Sequence, residues 1–282
     1  MKLSIITINY NNAEGLRKTL ASVASQTYRD IEHIIIDAAS TDGSVDVIRE
    51  YEAQLHLSHA TIHLQWISEK DKGIYNGMNK GLKKATGSYI QILNSGDILA
   101  ADDVTERMIL ETERFEYPSI LYGNMLKSYD GKTIINRDTC GGIGSTDSFL
   151  YFYRGTLNHD CAYIRRDLFD KYGLYDEDLK IVSDWKWFLQ TIGLGNVKPV
   201  YADIDVTIFD ASGISETNLD LRKQERRKVL EELLPQAVLA DYDAHAFDVE
   251  QMDRLKKHHM YGLVYMLERI LFKLEKWKIL RG

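Results

Sequence analysis

Apolar residues in the first hundred positions fall into two alternating patterns, short unbroken runs and stretches with helical spacing. Leu3 to Ile8 is a run rich in β-branched residues that stops at the polar loop Asn9-Tyr10-Asn11-Asn12. From about Ala13 to Gln26, Leu16, Leu20, Val23 and Ala24 share one helical face. Ile31 to Ile36 is a second run, ending at Asp37 and the turn-rich Ala38-Ala39-Ser40-Thr41-Asp42-Gly43-Ser44, before Val45, Val47, Ile48 and Tyr51 open another helix. Thr61 to Ile67 and Tyr89 to Leu93 repeat the strand pattern. Between them Ile74, Met78, Leu82 and Ala85 mark a helix face, and Asp102-Asp103 begin a fourth helix. Strands alternating with helices at these intervals predict βαβ units and a mixed, mainly parallel α/β sheet flanked by helices. Each such strand delivers its loop to the same edge, so Asn9, Asp37, Glu69, Asp71 and Asp97 are expected along one crevice.

Past Glu113 the pattern changes. Ser119 to Leu126 and Lys132 to Ile135 read as strands around the turn Tyr129-Asp130-Gly131, followed by a glycine-rich loop, Cys140 to Gly144. Thr156 to Ile164 reads as a strand, Arg166 to Tyr172 as a short helix, Trp185 to Leu189 as an aromatic helix preceded by Ser183-Asp184, and Val197 to Phe209 as a strand. The loop Asp210 to Ser215 comes next, and from Glu216 the chain is helical and charged. This predicts a main domain over residues 1–215, with halves 1–100 and 101–215, and a helical extension over 216–282.

In the last helix, about Val249 to Leu280, Leu255, Leu263, Met266, Leu267, Ile270, Leu271 and Leu274 lie largely on one side, accompanied by Lys256, Lys257, Arg269, Lys273, Lys276 and Lys278. A basic amphipathic helix of this kind suits an anionic membrane interface. It suits, somewhat better, packing on its own domain or on a second subunit, as in a homodimer. The formal charge of −7 argues against general nucleic-acid binding. The two cysteines, Cys140 and Cys161, form no metal-binding spacing and are expected to be reduced thiols. With no signal-peptide or membrane-span pattern, the expected location is cytoplasmic, at most at the inner face of the membrane.

The chemistry of the crevice narrows by what it lacks. The loop after the first strand carries a single glycine rather than G-x-G-x-x-G, and no G-x-x-x-x-G-K-[ST] run occurs. With neither backbone cradle present, a diphosphate held here needs a cation, and Asp97 is the residue placed to hold it. Asn94-Ser95-Gly96-Asp97 also fits an ordinary turn.

Three blocks in order settle more. Ser4-Ile5-Ile6-Thr7-Ile8-Asn9-Tyr10-Asn11, then Asp37 to Ser44, then Glu69-Lys70-Asp71-Lys72-Gly73-Ile74-Tyr75-Asn76-Gly77-Met78-Asn79-Lys80-Gly81 resemble the family 2 glycosyltransferases. The likeness extends through Ala85-Thr86-Gly87 to Asp97, and through Gly173-Leu174-Tyr175-Asp176 to Asp184. It implies a GT-A (Rossmann-like, nucleotide-binding) fold and inverting transfer from a nucleotide sugar, a UDP-sugar being expected. The implied acceptor is a saccharide hydroxyl, lipid-linked, in polysaccharide biosynthesis of the bacterial surface type, and the class hexosyl- or N-acetylhexosaminyltransferase.

By the same resemblance Thr7, Asn9 and Tyr10 pack around the nucleoside, and Asp37 contacts the base. Glu69 and Asp71 reach the nucleotide or donor sugar, with Asn79 and Lys80 on the following helix. The family's Asp-x-Asp metal motif falls on Asn94-Ser95-Gly96-Asp97. Only Asp97 remains there as a carboxylate for Mn²⁺ or Mg²⁺, while Asn94 and Ser95 face the donor; His159 and Asp210 are second-ligand candidates by residue type alone. Asp184 corresponds to the catalytic base, although it also suits an N-cap. On the acceptor side stand His159 and Trp185; Trp185 and Trp187 either stack on sugar rings or fill core. The alternatives from other classes are a non-catalytic nucleotide-sugar-binding or scaffold protein and a nucleotidyltransferase, the latter lacking the basic, glycine-rich first loop it needs.

Overall fold

The computed structural model describes residues 1–57, 61–129, 133–139, 148–211, 218–257 and 259–279. The chain opens as β1 (Leu3–Asn9), α1 (Ala13–Ala24), β2 (Ile31–Asp37), α2 (Ser44–Leu57), β3 (His63–Ser68), α3 (Ile74–Lys84) and β4 (Tyr89–Ile92). These are the elements that the apolar runs and helical faces predict. β1 and β2 are buried along their whole length, as strands covered on both faces must be, whereas β3 is half-exposed because it forms an edge. β2 and β4 flank β1, and all three pair in parallel, with β3 parallel to β2.

The second half adds β5 (Ile98–Leu99), α4 (Val104–Arg114), β6 (Ile120–Ser128), β7 (Asn136–Asp138), α5 (Phe149–Arg154), β8 (Ala162–Arg165), α6 (Asp167–Tyr172), α7 (Ser183–Phe188) and β9 (Pro199–Asp210). Among the described residues these make a nine-stranded sheet ordered β3-β2-β1-β4-β8-β6-β9-β5, with β7 on β6. β8 runs antiparallel to both β4 and β6. The chain leaves β1 toward β2 on one side and returns to β4 on the other. The carboxyl ends of β1 and β4 therefore border a topological switch point, where open α/β sheets bind ligands.

Three expectations change. The strand expected at Thr156 to Ile164 begins only at Ala162, because 156–161 turns instead to carry His159 and Asp160 toward β4; Gln91 of β4 donates to the Asp160 carbonyl at 2.7 Å. The partner of β6 is Asn136–Asp138 rather than Lys132 to Ile135. Asp130 to Lys132 and the glycine-rich stretch from Cys140 to Gly144 lie outside the described residues, as do 212–217. The single helix expected from Val249 is two, α9 (Gln236–Lys257) and α10 (Tyr261–Ile279), following α8 (Leu219–Leu233). His259 between them sits at φ 56°, a left-handed conformation that stops a helix.

The chain forms two compact units, Met1–Val229 and Leu230–Gly282. Within the first, Glu225 of α8 accepts from the backbone N–H groups of Lys180 and Ile181 at 2.7 and 2.9 Å, just ahead of α7. Among the described residues no helix is long and apolar enough to cross a membrane.

One buried group in the parallel core titrates abnormally. His33 is fully buried on β2, with its ring nitrogens 3.0 Å from Thr7 Oγ1 and 3.0 Å from Tyr51 Oη. Burial lowers its pKa to about 3. Below the ordinary imidazole value the unfolded chain takes up a proton that the folded chain refuses. Stability is therefore complete above pH about 6.5 and falls as pH drops toward about 3, by up to about 1.4 kcal/mol per pH unit from this group. Urea midpoints at pH 7, 6 and 5 should decline, and His33→Gln, although less stable at pH 7, should show a shallower decline. An equally steep decline in the variant would assign the acid sensitivity elsewhere.

Candidate functional site

The carboxyl ends of β1, β2 and β3 lie in register, with Asn9 opposite Asp37 and Asp37 opposite Ser68. Asp37 is fully buried and accepts from Asn9 Nδ2 at 2.8 Å, the Ser40 N–H at 3.0 Å and Ser68 Oγ at 2.6 Å. Burial works to raise its pKa, but the bonds from Ser40, Ser68 and Asn9 outweigh it and hold the carboxyl below the usual range. Asp37 is therefore a preorganised anion with acceptor capacity to spare. The loops above it are laced together: Asn11 N–H donates to Ser40 Oγ at 2.8 Å, and Thr41 N–H donates to Asn11 Oδ1 at 2.9 Å. Asn11 and Ala39 both take positive φ, 48° and 56°. Such strain persists where the surroundings over-determine it, as at binding loops.

Not every expected donor-side residue reaches the crevice with a free group. Tyr10 stands 68 % exposed just past β1, whereas the Thr7 hydroxyl is inside the sheet against His33. Glu69 pairs with Lys80 at 2.9 Å. Asp71 caps the turn into α3 by accepting from Gly73 N–H at 3.0 Å. Asn79 is buried and spent on another segment: it donates to the Tyr175 carbonyl and Glu177 at 2.9 Å each and accepts from Tyr175 N–H at 3.0 Å. Its structural work is to fasten the segment ahead of α7 to α3.

The turn after β4 is fixed from below. Thr19 of α1 donates to the Asp97 carbonyl at 2.7 Å and accepts from Gly96 N–H at 3.0 Å, and Asn12 Nδ2 donates to the Ser95 carbonyl at 3.0 Å. Gly96 takes φ 110°, and a Cβ there would lie 3.1 Å from Asp210 Oδ2. Asp97 points inward, 3 % exposed; its Oδ1 accepts from Asp210 N–H at 2.9 Å, and its Oδ2 is buried without a partner among the described residues. Burial, followed by the nearby Asp160 carboxyl, pushes the Asp97 pKa up to about 8. Asp160 is raised too, by burial, although Thr207 Oγ1 and Cys161 N–H donate to it at 2.9 and 3.0 Å.

A hydrogen-bonded chain connects this turn to α7. Asn94 Nδ2 lies 3.3 Å from His159 Nε2, His159 Nδ1 donates to Asp184 Oδ2 at 3.0 Å, and Tyr75 Oη donates to Asp184 Oδ1 at 2.8 Å. Burial works to raise the Asp184 pKa, but the bond and charge of His159 and the bond from Tyr75 hold it below the usual carboxylate range. Burial works to lower His159, yet Asp184, Asp160 and Asp97 together raise it. Asp184 is thus a carboxylate oriented by His159 and Tyr75. Lys186 on the same helix pairs instead with Asp176 at 2.9 Å.

Trp185 does not line this site. It is 2 % exposed, donates to the Phe152 carbonyl at 2.7 Å, and lies 4.4 Å beneath the Arg226 guanidinium. Trp187 stacks on Phe169 at 4.6 Å in the core. Core filling is the role the structure supports for both rings. Conversely, Tyr75, Asp160, Thr19 and Asn12 shape the site without having been picked out from the sequence. The available signal was a polar group on an otherwise apolar face, as at Tyr75 beside Ile74 and Met78.

Residues 4–173 match the family model described as "Glycosyl transferase family 2". The chain belongs to glycosyl transferase family 2. Curated members of similar sequence include a PGL/p-HBAD biosynthesis glycosyltransferase of Mycobacterium bovis, 27 % identical over 77 % of this chain and 80 % of the relative. An uncharacterized glycosyltransferase of Mycobacterium tuberculosis is 29 % identical over 75 % of this chain and 76 % of its own. Among solved structures, the fold resembles S. aureus TarS 1-349 in complex with UDP, with TM-score 0.58, 18 % identity and coverage of 74 % of this chain. The chain spans 60 % of that protein's length. It also resembles mannosyltransferase PcManGT from Pyrobaculum calidifontis in complex with GDP-Man and Mn2+, with TM-score 0.59, 19 % identity and coverage of 80 % of this chain and 60 % of the other. The family 2 chain has the GT-A glycosyltransferase fold.

A divalent cation fits the residues at the β4 turn. Among the described residues Asp97 Oδ2 and Asn94 Oδ1, both on this turn, are buried oxygens without a hydrogen-bond partner. A cation would also offset the proximity of Asp97 to Asp160. The described residues contain no group of three or more acidic, His or Cys side chains arranged for a metal, so few protein ligands would hold it. A divalent cation held by few protein oxygens would complete its shell with waters and phosphates. Because Gly96 alone lets the turn adopt φ 110°, Gly96→Ala should lower stability by on the order of 1–3 kcal/mol. Urea unfolding checks this, and an unchanged midpoint would mean the turn relaxes freely.

Proposed function

We propose that this family 2 member is a metal-dependent, inverting glycosyltransferase that moves a sugar from a nucleotide sugar, a UDP-sugar first, to a saccharide hydroxyl. The carrying observation is the placement of Asp184: an ionised carboxylate, oriented by Tyr75 and His159, connected through Asn94 to the turn that holds Asp97. Nucleotide-sugar use is further supported by the neighbours solved with UDP and with GDP-Man. A lipid-linked acceptor in surface-polysaccharide assembly, and the hexosyl- or N-acetylhexosaminyl class, are the finer parts of the same reading.

In this mechanism Asp37 and Asn9 hold the nucleoside end, and Asp97 with Asn94 would hold the cation. When bound, that cation offsets charge on the departing diphosphate. The acceptor hydroxyl approaches Asp184 from the side opposite the leaving group. Its oxygen bonds to the anomeric carbon as the bond to the phosphate oxygen breaks, and its proton passes to Asp184. The diphosphate leaves with the electron pair, and the anomeric configuration inverts. Tyr75 and His159 position the carboxylate for that transfer.

The test is donor hydrolysis and transfer with a panel of UDP- and GDP-sugars. Asp184→Asn should reduce kcat by about 10²- to 10⁴-fold while leaving donor KM within a few-fold. Donor binding with no turnover at all, and no penalty at Asp184, would favour the non-catalytic binding protein instead. Chelation followed by Mn²⁺ or Mg²⁺ should abolish and restore turnover in the native protein, and Asp97→Ala should raise the metal concentration required. Activity indifferent to both treatments would remove the metal from the mechanism.

A further inference from the structure

The last helices differ from the rest of the molecule in charge and in exposed surface. Residues 254–282 contain eight Lys and Arg against two Glu, a local charge of +6 in a chain of −7, so that residues 1–253 carry −13. On α10, Leu263, Met266, Leu267, Ile270 and Leu271 are 50, 53, 49, 46 and 59 % exposed. Their i, i+3, i+4, i+7, i+8 spacing places them along one side of the helix. Tyr265 and Phe272 lie off that stripe, and Arg269 sits over the Tyr265 ring at 6.0 Å. Water is a poor partner for so continuous an apolar row, and such a row marks an interaction surface.

The geometry points to an anionic lipid bilayer as the occupant: we propose that α10 lies in the membrane–water interface and holds the enzyme at that surface. The helix is too charged to span, since among the described residues no helix is apolar enough to cross a membrane. An apolar stripe on a helix of net positive charge matches the acyl–headgroup boundary of an anionic leaflet, where the apolar row sinks and the basic groups meet headgroups. The competing occupant is the same helix of a second copy. A two-fold contact would set the patch against itself. It would bring the +6 segments together, and like charges across an interface weigh against it.

The experiment is sedimentation of the full-length protein with vesicles of phosphatidylcholine alone or mixed equally with phosphatidylglycerol. Co-sedimentation is expected with the anionic vesicles, several-fold weaker when NaCl rises from about 0.1 to about 0.5 M. The double variant Leu267→Glu/Ile270→Glu should reduce binding about tenfold or more. Both positions are exposed, so its circular dichroism and thermal midpoint should match the parent, which separates lost docking from lost folding. Absence of vesicle binding, or equal salt-insensitive binding to neutral vesicles, overturns the proposal. So does a dimer seen by light scattering that the double variant dissociates while vesicles are ignored. The outcome is independent of donor specificity and of turnover.

Discussion

Asp97 sits where a carboxylate is least comfortable: buried, beside Asp160 and near Asp210, with one oxygen left without a hydrogen-bond donor among the described residues. A buried charge is tolerated only when paired, and an unpaired one neutralises itself by taking a proton. The surroundings nevertheless hold it there, through Thr19 and Asn12 below, the Asp210 N–H at the side, and a glycine whose φ no other residue adopts without strain. Several elements, α1, β1, β4 and β9, converge to fix this one turn. Burial also makes the affinity of the turn for a cation inseparable from the low dielectric around it.

The second carboxylate shows the opposite tuning. Asp184 is partly buried, yet its pKa moves down rather than up, because the bond and charge of the His159 imidazole and the bond from Tyr75 favour its charged form. Two acids of the same type are thus shifted in opposite directions by their surroundings. That division suits a reaction that needs one permanent base and one group to receive positive charge. His159 joins the two halves: it bonds Asp184 directly, and its charge is felt at Asp97. The role first considered for it, a second metal ligand, is the less economical use of a ring already spanning Asn94 and Asp184.

What could be read from the sequence follows from how each element is covered. β1 and β2 are buried on both faces, so their residues form unbroken apolar runs ending at Asn9 and Asp37, and the parallel half was legible together with its crevice. The antiparallel half was not, for local reasons. β5 has two residues, too few for any period. The segment 156–161 was joined to the apolar run that follows it, but Gln91 and Thr207 hold Asp160 in a turn through contacts far apart in sequence. Tyr75 and Asn79 sit on a helix face that periodicity assigns to packing. Only the third dimension shows that one donates to Asp184 while the other secures the Tyr175 segment. Trp185 and Trp187 are the reverse case, since aromatic residues beside the proposed base Asp184 suggest sugar stacking and here fill the core.

Charge is distributed along the chain as unevenly as strain. Residues 1–253 carry −13, yet their task in the proposed reaction is to receive a donor that is itself anionic. A net negative unit repels such a donor at long range, and exposed charges are screened beyond roughly 8–10 Å at physiological salt. In the proposed reaction recognition would therefore be local, through hydrogen bonds at Asn9 and Asp37 for the nucleoside and a cation at Asp97 for the phosphates. The absence of a glycine-rich phosphate cradle, visible in the first loop, and the buried, unpartnered oxygens of the β4 turn are two consequences of the same arrangement. In the proposed reaction a cation at the acidic turn would supply the positive charge that the first loop does not.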